Sequence, residues 1–299
     1  MTVLDSRTKR WSTDSIGSQA GRTVVITGAT SGIGSAAAKV LADKGARVVL
    51  AVRNEAKGAE AVRRIGGLAE VRPLDLADLS SVRAFADGWD GPVDLLINNA
   101  GVMAVPLSRT AEGFELQFGT NHLGHFALTN LLLPHLTDRV VCVSSSAHRM
   151  GHIDLTDPNW ERRPYKQWPA YGQSKLANLL FVLELERRLT AAGSDVRAVA
   201  AHPGFARTNL QGQTGNAWAD RATLMVTKVV GQSSAHGAWP TLFAATQDIP
   251  GGSYVGPGGF AEARGLPQLV GRTPEASDPE LAKQLWTASE ELTGISFPL

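Results

Sequence analysis

Tyr171 and Lys175 stand four residues apart in Tyr171-Gly172-Gln173-Ser174-Lys175, ahead of the helix-favouring run Leu176-Ala177-Asn178-Leu179-Leu180. Residues at that spacing share a helix face. A free phenol ionises near pH ~10, too high for a base at neutral pH. A neighbouring ammonium favours phenolate and would let the tyrosine exchange a proton with an alcohol. The same spacing also occurs where an amphipathic tyrosine and a solvated lysine merely share a helix. The pair gains meaning only from what surrounds it.

A second cluster lies near the chain start. Thr27-Gly28-Ala29-Thr30-Ser31-Gly32-Ile33-Gly34 follows a β-branched run and opens an alanine-rich one. Gly28, Gly32 and Gly34 permit a tight turn and let backbone N–H groups, with Thr30, Ser31 and Ile33 between them, approach a pyrophosphate at a helix N-terminus. The spacing is Gly-x-x-x-Gly-x-Gly rather than the usual dinucleotide fingerprint, and a plain glycine-rich turn is the alternative. An acidic residue about 20 positions on would bind a ribose 2′-hydroxyl. Here Ala51-Val52-Arg53-Asn54 offers no carboxylate. The Arg53 guanidinium suits a phosphate instead, which points to NADP over NAD. A solvent-exposed arginine at a strand end is the rival reading. Asp75 is placed to accept from an adenine amino group or to cap the next helix.

These sites require a scaffold. Arg22 to Thr27, Arg47 to Val52, Val71 to Leu74, Val93 to Asn98, Arg139 to Ser144 and Val196 to Ala201 read as strands. Helices are expected at Ile33 to Lys44, Ala56 to Ile65 and Leu79 to Ala86. A long one follows from Glu112 to Leu133, bent near Gly124, and another runs from about Tyr171 to Ala192. Apolar strands alternating with helices imply an α/β fold, a Rossmann-type doubly wound parallel sheet covered on both faces. No linker divides the chain, so residues 21–299 read as one catalytic domain behind an N-terminal arm, 1–20. Residues 211–230 read as a substrate loop, with Ala217 to Val230 helical. Ala235 to Ala245 reads as a further helix, and Gly251 to Gly256 as a last short strand. The C-terminal extension, 257–299, carries a helix from Pro279 to Leu292.

Composition narrows the function. The 299 residues carry a net charge of +1, which argues against nucleic acid or an anionic membrane surface as partner. Cys142, the single cysteine, excludes an intrachain disulfide and a cysteine-rich zinc site, and its apolar surroundings suggest an inert thiol. No signal peptide, membrane anchor or transmembrane run is evident, so a cytoplasmic protein is expected. His122 and His125 share a helix face without a carboxylate or cysteine in that turn, so no metal site is expected. His148 and His152 read as exposed loop residues, His202 as packing near the cofactor. Trp160 and Trp168 bracket the loop before Tyr171, suited to lining a cleft or to packing the loop.

Taken together, these segments resemble the short-chain dehydrogenase/reductase family, in family order from Arg22 to Leu210. Thr27 to Gly34 resembles its coenzyme loop, and Asp75, with Leu76 beside it, its adenine site. Asn98-Asn99-Ala100-Gly101 is similar to the motif after strand four, with Asn99, Ala100 and Gly101 contacting cofactor. Asn121, Ser145, Tyr171 and Lys175 fall at the catalytic positions. Pro203, Gly204 and Thr208 fall at the motif that holds the nicotinamide carboxamide. The resemblance implies Tyr171 as general acid/base and Ser145 as a hydrogen-bond partner of the substrate oxygen. It gives Lys175 two tasks, lowering the phenol pKa and holding ribose hydroxyls. Asn121 would hold a water through its backbone carbonyl. Ser144 and Ser146 flank Ser145 and would face the opposite side of a strand. Asn121 as a helix kink and Thr208 as a helix cap remain alternatives.

Thr120 to Phe126, Tyr171 to Leu180, His202 to Leu210 and the tail around Leu285-Trp286 resemble retinol-dehydrogenase-like, NADP-preferring reductases. The expected activity is hydride transfer between NADP and a carbonyl or alcohol. The apolar share of the substrate loop suggests a lipophilic small molecule, and NADP use favours reduction. A non-catalytic NADP-binding sensor is the alternative. The family also implies pairing of chains through the helix after strand four and the Tyr171 helix, hence a possible homo-oligomer.

Overall fold

The computed structural model describes residues 11–205 and 232–299. Eight strands form one sheet in the order β3-β2-β1-β4-β5-β6-β7-β8. They are β1 (Thr23–Thr27), β2 (Arg47–Val52), β3 (Leu68–Pro73), β4 (Val93–Asn98), β5 (Leu136–Val143), β6 (Arg197–Ala201), β7 (Tyr254–Pro257) and β8 (Pro267–Leu269). The first seven pair in parallel and β8 closes the edge antiparallel to β7.

Helices cover both faces because the central strands are buried on both sides. Val24, Ile26, Val48 and Leu50 face α1 (Gly32–Asp43), α2 (Glu55–Ile65) and the Trp239–Thr246 helix. Val25, Val49 and Leu96 face the opposite layer of α3 (Leu79–Asp87), α5 (Gly124–Leu132) and α6 (Gln167–Ala191). The alternation along each strand sorts its side chains between the two cores. Strand order reverses between β1 and β4, so the loops leaving their carboxyl ends diverge and open a cleft there.

The C-terminal extension belongs to the same body. Asp278 caps the Pro279–Thr293 helix by accepting from the N–H groups of Glu280 and Leu281, and Gly294 ends it at φ 63°. Its Trp286 meets Phe126 edge-on at 4.9 Å and stacks on Phe181 at 5.6 Å.

Two expectations need correction, and one strand has no counterpart in the sequence reading. The long helix does not begin at Glu112. The Glu115 carboxylate caps α4 (Leu116–Phe118) by accepting from the Gln117 and Phe118 N–H groups. The backbone is then π-helical over Gly119–Leu123, adjoining Gly124, near which the irregularity was expected. Pro240 divides the expected helix from Ala235 into Ser234–Gly237 and Trp239–Thr246. Strand β8, only Pro267–Leu269, was too short to show a period. The expected substrate loop and its helix lie outside the described residues, as does Thr208.

Candidate active site

The diverging loops bound a cleft of 880 Å³. At one end the glycine loop turns from β1 into α1, with Gly28 at φ +68° and Gly32 at +61°, a conformation glycine adopts at little cost. A Cβ on Gly28 would stand 2.9 Å from Ala100 Cα, and one on Gly34 only 2.5 Å from Asn99 Nδ2. The two loops are therefore in contact, which brings the Asn99-Ala100-Gly101 backbone against the glycine turn. Asn99 Nδ2 donates to the Thr27 carbonyl at 2.8 Å. Ser31 sits at the N-cap of α1 without a side-chain hydrogen bond, so the first N–H groups of the helix keep their capacity for an anion.

Arg53, at the end of β2, lines the same end of the cleft with its side chain largely exposed. Its guanidinium lies 3.9 Å from Asp75. Asp75 does not cap α3: Asp78 does, accepting from Ser80 and Ser81 N–H, while Asp75 accepts from Ala77 N at 3.0 Å. Lys57 is a wall residue the sequence reading missed. It lies in the first turn of α2, whose N-cap is Asn54. A cation there opposes the helix dipole, and that was the available signal.

At the other end lie Ser145, just past β5, and Tyr171 and Lys175 on α6. Ser145 and Tyr171 line this end together, and the Ser145 hydroxyl lies close enough to the Tyr171 phenol to favour its ionised form. Ser144 faces away, donating to the Lys175 carbonyl at 2.8 Å. Lys175 Nζ lies 5.8 Å from the Tyr171 ring centre and donates to the Val143 carbonyl at 3.0 Å.

The electrostatics differ from expectation. Burial pushes the Tyr171 phenol up to about 12, opposed by the neighbouring Ser145 hydroxyl. Burial likewise brings the Lys175 ammonium down to about 8. Lys175 thus does not hold the phenol below its ordinary value here. Both groups are desolvated, which disfavours phenolate and ammonium alike, and the ammonium is turned to a carbonyl rather than to the phenol.

Asn121 does not line the cleft but is fully buried in the π-helical turn beside it. Its Oδ1 accepts from Val102 N at 2.8 Å, and its Nδ2 donates to Val102 O and to Ser174 Oγ, each at 2.9 Å. Pro203 and Gly204 lie on the cleft wall beyond β6. Gly204 has φ +65°, and a Cβ there would meet Ala263 O at 2.5 Å.

The remaining aromatic and thiol groups separate into wall and packing. Trp168 lines the cleft with its ring edge-on to Tyr171 at 6.2 Å, alongside Met103, Met150 and Phe205. Trp160 instead packs against Tyr165 and under Arg163. His148 is buried rather than exposed, with Nδ1 donating to Ser145 O at 2.8 Å. His152 is an exposed partner of Glu275. His202 is buried with Nε2 3.0 Å from Glu262. Cys142 is buried and its thiol is pushed up to about 12 by desolvation.

The sheet order, the glycine turn and the Ser–Tyr–Lys end define a dinucleotide-binding α/β protein. Residues 22–218 match the family model "short chain dehydrogenase", and the chain belongs to that family. It is a pyridine-nucleotide oxidoreductase acting on CH–OH groups, and its curated relatives are retinol-dehydrogenase-like. Human retinol dehydrogenase 13 (Homo sapiens) is 41% identical over 93% of this chain and 86% of its own. Polyprenol dehydrogenase of Mus musculus is 40% identical over 92% and 85%. Among solved structures, an uncharacterised protein from Mycobacterium paratuberculosis is 55% identical, with a TM-score of 0.86 over 97% of this chain and 100% of that one. A short-chain dehydrogenase/reductase from Burkholderia phymatum in complex with NAD is 25% identical, with a TM-score of 0.58 over 75% and 85%. Among the described residues, no helix is long and apolar enough to cross a membrane.

Proposed function

We propose that the chain is an NADP(H)-dependent oxidoreductase that interconverts a lipophilic aldehyde or ketone and its alcohol, with Tyr171 as general acid/base. The observation that carries this reading is that Ser145, Tyr171 and Lys175 line one end of a cleft whose other end is a glycine cradle. The residues present fit a dinucleotide: an open helix N-terminus, backbone N–H groups, and glycines where a Cβ would collide. The dinucleotide would supply the hydride.

The chain's own residues do the rest. Gly28 to Gly34 would hold the pyrophosphate, Asp75 and Leu76 the adenine, Asn99 to Gly101 the middle of the cofactor, and Pro203, Gly204 and Thr208 the nicotinamide end. Arg53, joined by Lys57, offers cations where an NAD-specific site would carry a carboxylate. A substrate oxygen beside Ser145 and Tyr171 would take hydrogen bonds from both hydroxyls. In reduction, the protonated Tyr171 phenol gives its proton to that oxygen. A phenol held up to about 12 is protonated at neutral pH, the form reduction needs. Lys175 would hold ribose hydroxyls and return a proton to the site, with Asn121 supporting it. Met103, Met150, Trp168 and Phe205 make the substrate end apolar. That fits lipophilic substrates of the kind named by the retinol and polyprenol dehydrogenases.

NADPH consumption over retinaldehyde, a polyprenal and short apolar aldehydes tests the reading, with Tyr171→Phe alongside. Turnover by the parent and its loss in Tyr171→Phe, with NADPH fluorescence binding retained, is expected. Undiminished turnover in Tyr171→Phe would sink the mechanism.

A further inference from the structure

His125 belongs neither to the cleft wall nor to a metal cluster, yet both its ring nitrogens are committed. Nδ1 lies 3.0 Å from the Asn121 carbonyl oxygen and Nε2 2.9 Å from Thr27 Oγ1. The protonation pattern follows from counting donors. A carbonyl only accepts, so Nδ1 carries the proton. Thr27 Oγ1 already accepts from Asn99 N and Ala100 N, each at 2.9 Å. That fills its two lone pairs, so its proton points to His125 Nε2. Its other acceptor, Ile97 O, is farther away at 3.4 Å. The assignment is therefore a neutral, Nδ1-protonated imidazole.

This ring joins the two ends of the cleft. Thr27 is the last residue of β1, directly before Gly28. Its hydroxyl gathers the two N–H groups that open the Asn99-Ala100-Gly101 turn. On the far side, the Asn121 amide donates to Ser174 Oγ, which donates to the Tyr171 carbonyl at 2.8 Å. Thr27, His125, Asn121 and Ser174 form one hydrogen-bonded line from the glycine turn to the helix carrying Tyr171 and Lys175. The π-helical Gly119–Leu123 turn sets Asn121 in this line.

We infer that His125 is a positioning residue that, as the neutral Nδ1–H tautomer, fixes the Asn121 carbonyl and sets the glycine turn at its working distance from Tyr171. Its function in turnover rests on the oxidoreductase reading above. The titratable groups that face the ring are Lys175, which opposes a second proton on it, and His122, which titrates lower still and stays neutral beside it. A protonated ring would also aim an Nε2–H at a hydroxyl with no free lone pair. Losing the line would let the cleft's ends drift, and misplacement by about 1 Å costs on the order of 100-fold in rate.

The test combines a spectroscopic and a kinetic readout. Long-range ¹H–¹⁵N NMR of the parent should show His125 protonated on Nδ1, bare on Nε2, and unchanged from about pH 5.5 to about 8.5. An Nε2-protonated ring, or one that titrates in that range, overturns the assignment. His125→Phe keeps the ring volume without nitrogens. Thr27→Val removes the hydroxyl, and carries the kinetic arm if His125→Phe does not fold. With NADPH and the best aldehyde of the panel above, either variant should lose about 10- to 100-fold in kcat. Aldehyde KM and NADPH affinity should stay within about threefold, and the pH–rate profile should shift. Thr27→Ser should restore the parent values. A lowered Tm with unchanged kcat and pH profile marks a purely structural role and overturns the proposal, as does Thr27→Ser failing as badly as Thr27→Val. If the parent consumes no NADPH with any aldehyde, the oxidoreductase reading fails with the turnover role, and the tautomer assignment stands or falls on the NMR spectrum.

Discussion

The two ends of the cleft are built on opposite principles. The nucleotide end is mostly backbone: a glycine turn, the open N-terminus of α1, and a few cations with exposed side chains. The proton-transfer end is mostly buried side chains, Tyr171, Lys175, Asn121, His125 and Ser174, the last four held by hydrogen bonds to other elements. A backbone site tolerates changes in its surroundings but not in its glycines. A buried polar network tolerates neither lost partners nor added charge, because each unpaired group there costs about 1–3 kcal/mol.

The sharpest way to break the contrast is Lys175→Ala, since Lys175 is proposed to serve both ends. Turnover should fall by about 100- to 10,000-fold, the range for losing a proton-transfer group, and NADPH should bind measurably more weakly by fluorescence titration. Lost turnover with unchanged NADPH affinity would confine Lys175 to the proton-transfer end.

Next in size are changes confined to the nucleotide end. Arg53→Ala should weaken NADPH by about 10- to 100-fold, the worth of a charge-assisted hydrogen bond to phosphate, and leave NADH almost unchanged. Parent protein that binds NADH more tightly than NADPH would overturn the cofactor choice. Gly34→Ala introduces a Cβ that meets Asn99 Nδ2 at 2.5 Å and Gly28 O at 3.0 Å. Dinucleotide affinity should drop, with the Tm falling by only a few degrees, on the order of 1 kcal/mol of strain. Equal loss of kcat at saturating NADPH would show that the two ends are more tightly coupled than their construction suggests.

The same contrast explains what was legible in the sequence. Six of the strands and the helices between them follow from apolar runs of the right length, and Gly28, Gly32 and Gly34 announce themselves because the backbone there demands glycine. Tyr171 and Lys175 are readable because their spacing is local. The π-helical turn at Gly119–Leu123 carries no such mark, since its reason is the contact of Asn121 with Val102 and Ser174, distant in sequence. The upward shift of Tyr171 was missed for a related reason. A spacing argument counts the neighbouring lysine but not the burial, and burial is the larger effect. From sequence His125 offers only a metal-ligand reading, because its partner Thr27 lies on another element and meets it only in three dimensions.

Acid stability gives the finest test of the contrast, because buried neutral imidazoles mark the proton-transfer side. Desolvation lowers His122 to about 3 and His125 to about 4, and lowers His202 as well. In the unfolded chain a histidine titrates near ~6.5. Between the two values the unfolded chain binds protons that the folded one refuses, so stability is intact above about pH 6.5 and falls as the pH drops toward 4. Each imidazole contributes a slope of up to about 1.4 kcal/mol per pH unit. Urea unfolding at steps from about pH 7 to about pH 5 should show that decline, and His125→Phe should lower the stability at neutral pH while flattening the slope by up to one imidazole's share. A slope that His125→Phe leaves unchanged would mean that the ring already accepts its proton in the folded protein. The line from Thr27 to Asn121 would then be weaker than its distances suggest.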